Sequence, residues 1–221
     1  MTGGAGATLE LADWRRRVAD LYAEVRTLAA TDPRAAWERW RGERERLYRE
    51  HPQSPVPPAS RGTFAARYFD YNPAYRWVAA IEPDPAAGDP HGHGSTIEAP
   101  PLALPVSAGG TMSFGRVGWV EVALPGGSAR IALYWLSGYA GGLFLPFRDA
   151  TNGGETYGAG RYLLDAAKGA DLGIDPAGDG LVLDFNFSYQ PSCAFDPRWA
   201  CPLAPPENRL ELRVEAGERL A

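Results

Sequence analysis

GRVGWVEVALPGGSARIALYWLS, residues 115–137, is the stretch whose reading decides the fold. In its first half Val120, Val122 and Leu124 fall on one face, with Trp119, Glu121 and Ala123 on the other. That period of two is the pattern of a strand standing between two environments. PGG at 125–127 breaks the pattern, and SARIALYWLS resumes a β-branched and aromatic composition, so the two halves predict a hairpin.

The same rhythm continues on both sides. Downstream, GLFLPFRDA (142–150) and ETYGAGRYLL (155–164) read as a second strand pair across TNGG. Asn152-Gly153 tolerates positive φ and predicts the turn, while Gly158 and Gly160 predict a bulge or a close approach of another backbone. DGLVLDFNFSY (179–189) alternates Leu183, Phe185 and Phe187 against Asp184, Asn186 and Ser188, and NRLELRVEAGE (208–218) reads as the closing strand. Upstream, FAARYFDY and YRWVAAIE are short strands turning at Asn72-Pro73. Residues 83–101 lack apolar periodicity and predict an exposed loop insertion. The expected architecture is mainly β: an antiparallel sandwich or squat barrel spanning 63–217.

Before residue 63 the period changes. Trp14, Val18, Leu21, Val25 and Leu28 step by four and three, the stripe of an amphipathic helix beginning near residue 9 after a flexible tail at 1–8. A second helix over 33–50 starts where Asp32 caps and Pro33 takes the first position, and it stops before the prolines of HPQSPVPP. Residues 9–50 are therefore expected as a helical pair packed on the β-rich body, with a dimer contact as the alternative.

Composition excludes several functions. A net charge of −5 over 221 residues, with Lys168 the single lysine, is the wrong balance for gripping a phosphate backbone, so no nucleic-acid partner is expected. No apolar run long enough to cross a bilayer and no basic-apolar leader stand in the chain, and a cytoplasmic protein away from membranes is expected. GETYGAG lies between strand-like segments rather than before a helix and lacks Gly-Lys-Ser/Thr, which excludes a phosphate loop. No Ser-His-Asp, Cys-His or Gly-x-Ser-x-Gly arrangement is present. His91 and His93 sit in a Gly/Pro-rich stretch, so neither metal nor other cofactor is expected. Cys193 and Cys201 read as free, partly buried thiols, with a labile loop-closing disulfide as the alternative.

LFLPFRDATNGGETYGAGRYLLD (143–165), followed by LVLDFNFSYQPSCAFDPRWACPLAPPENRL (181–210), resembles the DUF1684 family across roughly 143–217. HPQSP and FAARYFDYNPAYR fit its N-terminal half more loosely. The resemblance implies kinship but carries no substrate, cofactor or catalytic residue.

What remains is a candidate pocket between the 147–162 hairpin and the 184–209 segment. Arg161, with a rigid fork of donors, is expected to anchor a small ligand through an anionic or carbonyl group, Tyr157 and Tyr162 to wall it, and Asp149, Thr151, Asp184, Asn186 and Asn208 to complete the polar lining. The alternatives are an internal salt bridge of Arg161 with Asp149 or Asp184, a hydrolase using one of those carboxylates with Arg161, and a partner-binding module acting through the helices.

Overall fold

The computed structural model describes residues 3–85, 102–139, 141–178 and 180–220. Two helices lead: α1, Gly3–Ala29, and α2, Pro33–Glu50. The strands that follow are β1 (Arg67–Tyr68), β2 (Arg76–Ala79), β3 (Glu82–Pro83), β4 (Leu102–Pro105), β5 (Thr111–Leu124), β6 (Gly127–Leu136), β7 (Leu143–Phe147), β8 (Arg161–Asp165), β9 (Leu181–Asp184) and β10 (Glu218–Arg219).

The main sheet runs β3-β5-β6-β7-β8, with β4 also on β5, and every pairing is antiparallel. Among the described residues its path ends on β3 and β8 without meeting, so the sheet is open there and not closed into a barrel. Two small antiparallel pairs, β2 with β9 and β1 with β10, cover it. The β5–β6 hairpin keeps the expected faces: Val120, Val122 and Leu124 are buried, Glu121 and Ala123 exposed.

Core lies on both sides of the sheet. On one side α1 and α2 pack through Leu21, Val25, Trp37 and Trp40 against Phe114, Tyr134, Phe144 and Tyr162. On the other, Val120, Ile131, Leu133, Leu145 and Phe147 meet Leu183 and Phe185. β6 alternates between the two clusters, Ile131 and Leu133 facing one way, Ala132 and Tyr134 the other. A sheet sandwiched this way becomes apolar on both faces.

The helix ends follow local chemistry. Asp32 accepts from the Ala35 amide at 2.9 Å with Pro33 at the first position, as capping requires. The stretch expected as a flexible tail is helical from Gly3 instead: Gly3, Gly4 and Gly6 disfavour the helix, but Ala5, Ala7, Leu9 and Leu11 favour it and no proline interrupts its propagation from the stripe that follows.

Three expectations about strands are corrected. First, β9 ends at Asp184 and Phe185–Phe187 is a 3-10 turn, so DFNFSY has no polar face: residues 181–190 are all buried. The Asp184 carboxylate accepts from Asn186 N at 2.9 Å and Asn186 Nδ2 at 2.7 Å, a local bond that competes with the ladder. Second, residues 148–160 form a long structured loop between β7 and β8 rather than a two-residue hairpin turn. Gly160, at φ +104, lies where a Cβ would come within 2.4 Å of the Phe147 carbonyl, so this glycine marks a close approach of backbone. Third, residues 208–217 do not form a regular strand. They run extended beside the loop through Arg148 N to Asn208 O and Ala150 N to Leu212 O. Most of the predicted loop at 83–101, including His91 and His93, lies outside the described residues.

Candidate functional site

The residues expected to form one pocket are distributed over four places. Arg161, Asp149 and Thr151 do meet. Arg161 Nη2 donates to Asp149 Oδ1 at 3.2 Å and to Val214 O at 2.9 Å, and Nη1 donates to the carbonyls of Ala216 and Glu218. Asp149 Oδ2 in turn accepts from Thr151 N, Thr151 Oγ1 and Val214 N at 3.1, 2.8 and 2.8 Å. Both side chains are fully buried. The two terminal nitrogens of Arg161 are taken up by protein carbonyls and Asp149, Nε is buried without a hydrogen-bond partner, and the side chain has no solvent-exposed surface, which runs against the expectation of a ligand anchor. Its role here is to fasten residues 214–218 to the 148–161 loop, since a buried charge must find partners inside the fold.

Asp184 and Asn186 form a second knot. Asn186 accepts from Asn72 N at 3.0 Å and donates to Asn72 O at 2.9 Å, while its own carbonyl accepts from Trp37 Nε1 at 2.9 Å. Arg76 approaches Asp184 at 3.4 Å, yet burial prevails and raises the Asp184 pKa to about 6. Asn208 is a third. Its side chain accepts from Ala132 N at 2.7 Å and donates to Ala132 O and Pro146 O at 2.9 and 2.7 Å, replacing a strand where β6 and β7 diverge. These groups are joints of the scaffold.

Tyr157 and Tyr162 lie in the fourth place, close to a true cavity. A cleft of about 230 Å³ opens between α1 and the 192–201 segment, lined by Leu11, Trp14, Arg15 and Val18 on one side and Ser192, Trp199, Ala200 and Cys201 on the other, with Lys168 at its wall. An inner recess of about 60 Å³ shares Trp14, Val18, Lys168 and Ser192 with it and continues to Tyr22, Tyr48, Tyr162, Tyr189 and Arg44. Lys168 keeps 52% of its side chain open while Nζ contacts Asp165 at 2.7 Å. Tyr162 is held edge-on between Phe144 and Tyr189, and its hydroxyl donates to Pro202 O.

At the end of the recess Arg44 Nη2 pairs with Glu218 at 2.9 Å and its guanidinium lies over Tyr48 and Tyr189, with ring centroids 4.3 and 4.6 Å away. Around this pair Arg44 Nε, Glu218 Oε1, Gln190 Oε1 and Tyr68 Oη are buried without a hydrogen-bond partner, and Trp199 Nε1 is likewise unpartnered beside the outer cleft. Unspent polar atoms beside an aromatic-walled cavity are what a ligand site offers. A larger, shallow groove of about 470 Å³ between Leu9 and Pro52 is lined by charges that already pair with one another, Arg17 with Asp13 at 2.7 Å and His51 with Asp13 at 3.2 Å.

Sequence reasoning missed Trp14, Lys168 and Arg44 as cavity residues. Trp14 and Arg44 were visible as members of helical stripes, and Lys168 as the chain's one lysine, but nothing local says that α1 stops short of sealing the sheet.

The model of the family described as "Protein of unknown function (DUF1684)" matches residues 64–219. The chain belongs to the DUF1684 family. The match takes in every strand from β1 to β10 and leaves α1 and α2 before it. A solution NMR structure of an uncharacterized protein from Haloarcula marismortui is similar at 33% identity, with a TM-score of 0.55 over 81% of this chain and 90% of that one. No curated protein matches the chain. Among the described residues no helix is long and apolar enough to cross a membrane, and no cluster of His, Cys, Asp and Glu has the makings of a metal site.

Proposed function

We propose that this DUF1684 protein binds a small, largely apolar molecule bearing an anionic group, in the cleft between α1 and the 192–201 segment. The observation that carries the reading is the combination of aromatic walls with cations among the lining: Trp14 and Trp199 flank the cleft, and Lys168 and Arg15 line it, each also holding a neighbour, Asp165 and the Ala167 carbonyl. Apolar surface supplies the affinity and a few convergent charges supply orientation, the usual division of labour in small-molecule sites. The cavity's size selects a ligand of a few carbon atoms plus one ring rather than a nucleotide. Arg161, the anchor expected earlier, plays no part in this reading.

Thermal-shift screening of small aromatic and aliphatic carboxylates tests it. Stabilisation of the wild-type protein that is lost in Lys168→Ala and Trp14→Ala, with both variants still folded, is the expected result. Stabilisers that act equally on wild type and both variants refute the site, as does a carboxylate panel that leaves the wild-type melting temperature unmoved.

A further inference from the structure

Both cysteines of the chain meet at the wall of this cleft. Cys193 is held in the 3-10 turn Ser192–Ala194, and its amide donates to Cys201 Sγ at 3.3 Å. Cys201 is fixed from the far side, its amide donating to Ser107 Oγ at 3.0 Å while its carbonyl accepts from Ser107 N at 3.0 Å. Both are free thiols, and Cys201 lines the cleft while Cys193 lies behind it. Two neighbouring buried thiols, of which Cys201 lines the cavity, have the arrangement of an attacking and a resolving pair.

We propose that Cys193 and Cys201 are a redox-active dithiol that exchanges with small disulfides entering the cleft, with Cys201 as the attacking sulfur and Cys193 as the resolving one. In the first step Cys193 thiolate takes the Cys201 proton as Cys201 Sγ bonds to one sulfur of the substrate R–S–S–R′. The substrate S–S bond breaks and R′S⁻ departs, leaving Cys201 in a mixed disulfide. The Cys193 proton then passes to R′S⁻, and Cys193 thiolate attacks Cys201 Sγ. This forms the internal disulfide and expels RS⁻, which takes a proton from water. The dithiol loses two electrons and the substrate gains them as two thiols.

The surroundings suit the step. The neighbouring Cys201, Ser107 and Tyr157 outweigh burial and bring the Cys193 pKa down to about 6, against ~8.5 for an unperturbed thiol. Cys201 moves upward because it donates to Cys193, so the pair shares one proton near neutral pH. Lys168 faces Cys201 from the cleft side and favours its ionised form.

The test uses the full chain with 2-hydroxyethyl disulfide, an uncharged probe, and 3,3′-dithiodipropionate, a small anionic one. Intact mass and free-thiol titration should show an internal disulfide that forms with either reagent and reopens with reduced glutathione. Cys193→Ser should trap the reagent on Cys201, whereas Cys201→Ser should trap none. Failure of the wild type to form the internal disulfide overturns the proposal without any variant. Trapping on Cys193 in Cys201→Ser overturns the assignment of roles, and Cys→Ala versions replace any serine variant that does not fold. Because 2-hydroxyethyl disulfide carries no charge, exchange with it stands or falls independently of the anion site proposed above.

Discussion

Arg161 shows how much one buried residue can hold. Its partners Val214, Ala216 and Glu218 lie 53, 55 and 57 positions away in sequence, so a single side chain closes the C-terminal segment onto the 148–161 loop. Arg161→Ala leaves Asp149 buried without its cation and is expected to cost about 3–5 kcal/mol, measured by denaturant unfolding. Arg161→Lys keeps the charge but cannot reach several carbonyls at once, and it should recover only part of that loss. Asp184 makes a different prediction. Its pKa is raised from 3.8 to about 6 by burial, so between those values the folded state binds a proton that the unfolded state has released. Stability on this account is highest below about pH 4 and declines as pH rises through about 6, by up to roughly 3 kcal/mol. Asp184→Asn should flatten that decline in a pH series of urea melts. An unchanged slope would mean that Asp184 is ionised when folded.

At the scale of elements, the joints between strands are side chains. β6 and β7 pair only at Tyr134 with Phe144 and Trp135 with Leu143, and beyond that point they separate. Asn208 fills the gap by presenting an amide to Ala132 and Pro146, in the geometry a neighbouring strand would use. Asn208→Ala strips the partners from a buried N–H and two buried carbonyls. A loss of about 3 kcal/mol or more is expected, read as a lower urea midpoint at unchanged slope. Asn208→Asp should be worse, because a carboxylate cannot donate to either carbonyl.

At the scale of the molecule, the helices and the sheet share one core. Val25 of α1 and Trp40 of α2 belong to the cluster that holds Phe114, Tyr134 and Phe187, and Arg44 of α2 is paired with Glu218 of β10. Helix and sheet should therefore melt together, with far-UV circular dichroism and tryptophan fluorescence tracing one transition. Val25→Asp, which places a charge at a fully buried position, should lower that common transition by about 3 kcal/mol or more rather than melt the helices alone. Separate transitions by the two probes would contradict the shared core.

The sequence by itself determined the elements with a sustained period or a local cap, though not the short alternation at 183–188 or the closing segment 208–217. The alternation in 119–124 placed β5 and its faces, the four-and-three stripe and Asp32-Pro33 placed the helices, and DUF1684 kinship was legible in the 143–210 motifs. It also identified Asp149, Arg161, Asp184, Asn186 and Asn208 as unusual polar residues, which they are. What those residues do was decided only by the tertiary structure. A polar group in an apolar setting has the same sequence signature whether it faces a ligand or a distant carbonyl, because both answers satisfy the same cost of burial. The partners of Arg161 and Asn208 come from remote segments, and the cleft exists because α1 spans the sheet edge without sealing it against residues 192–201. Periodicity reports which face is apolar; which surface covers that face, and where it fails to, is settled by packing the whole chain at once.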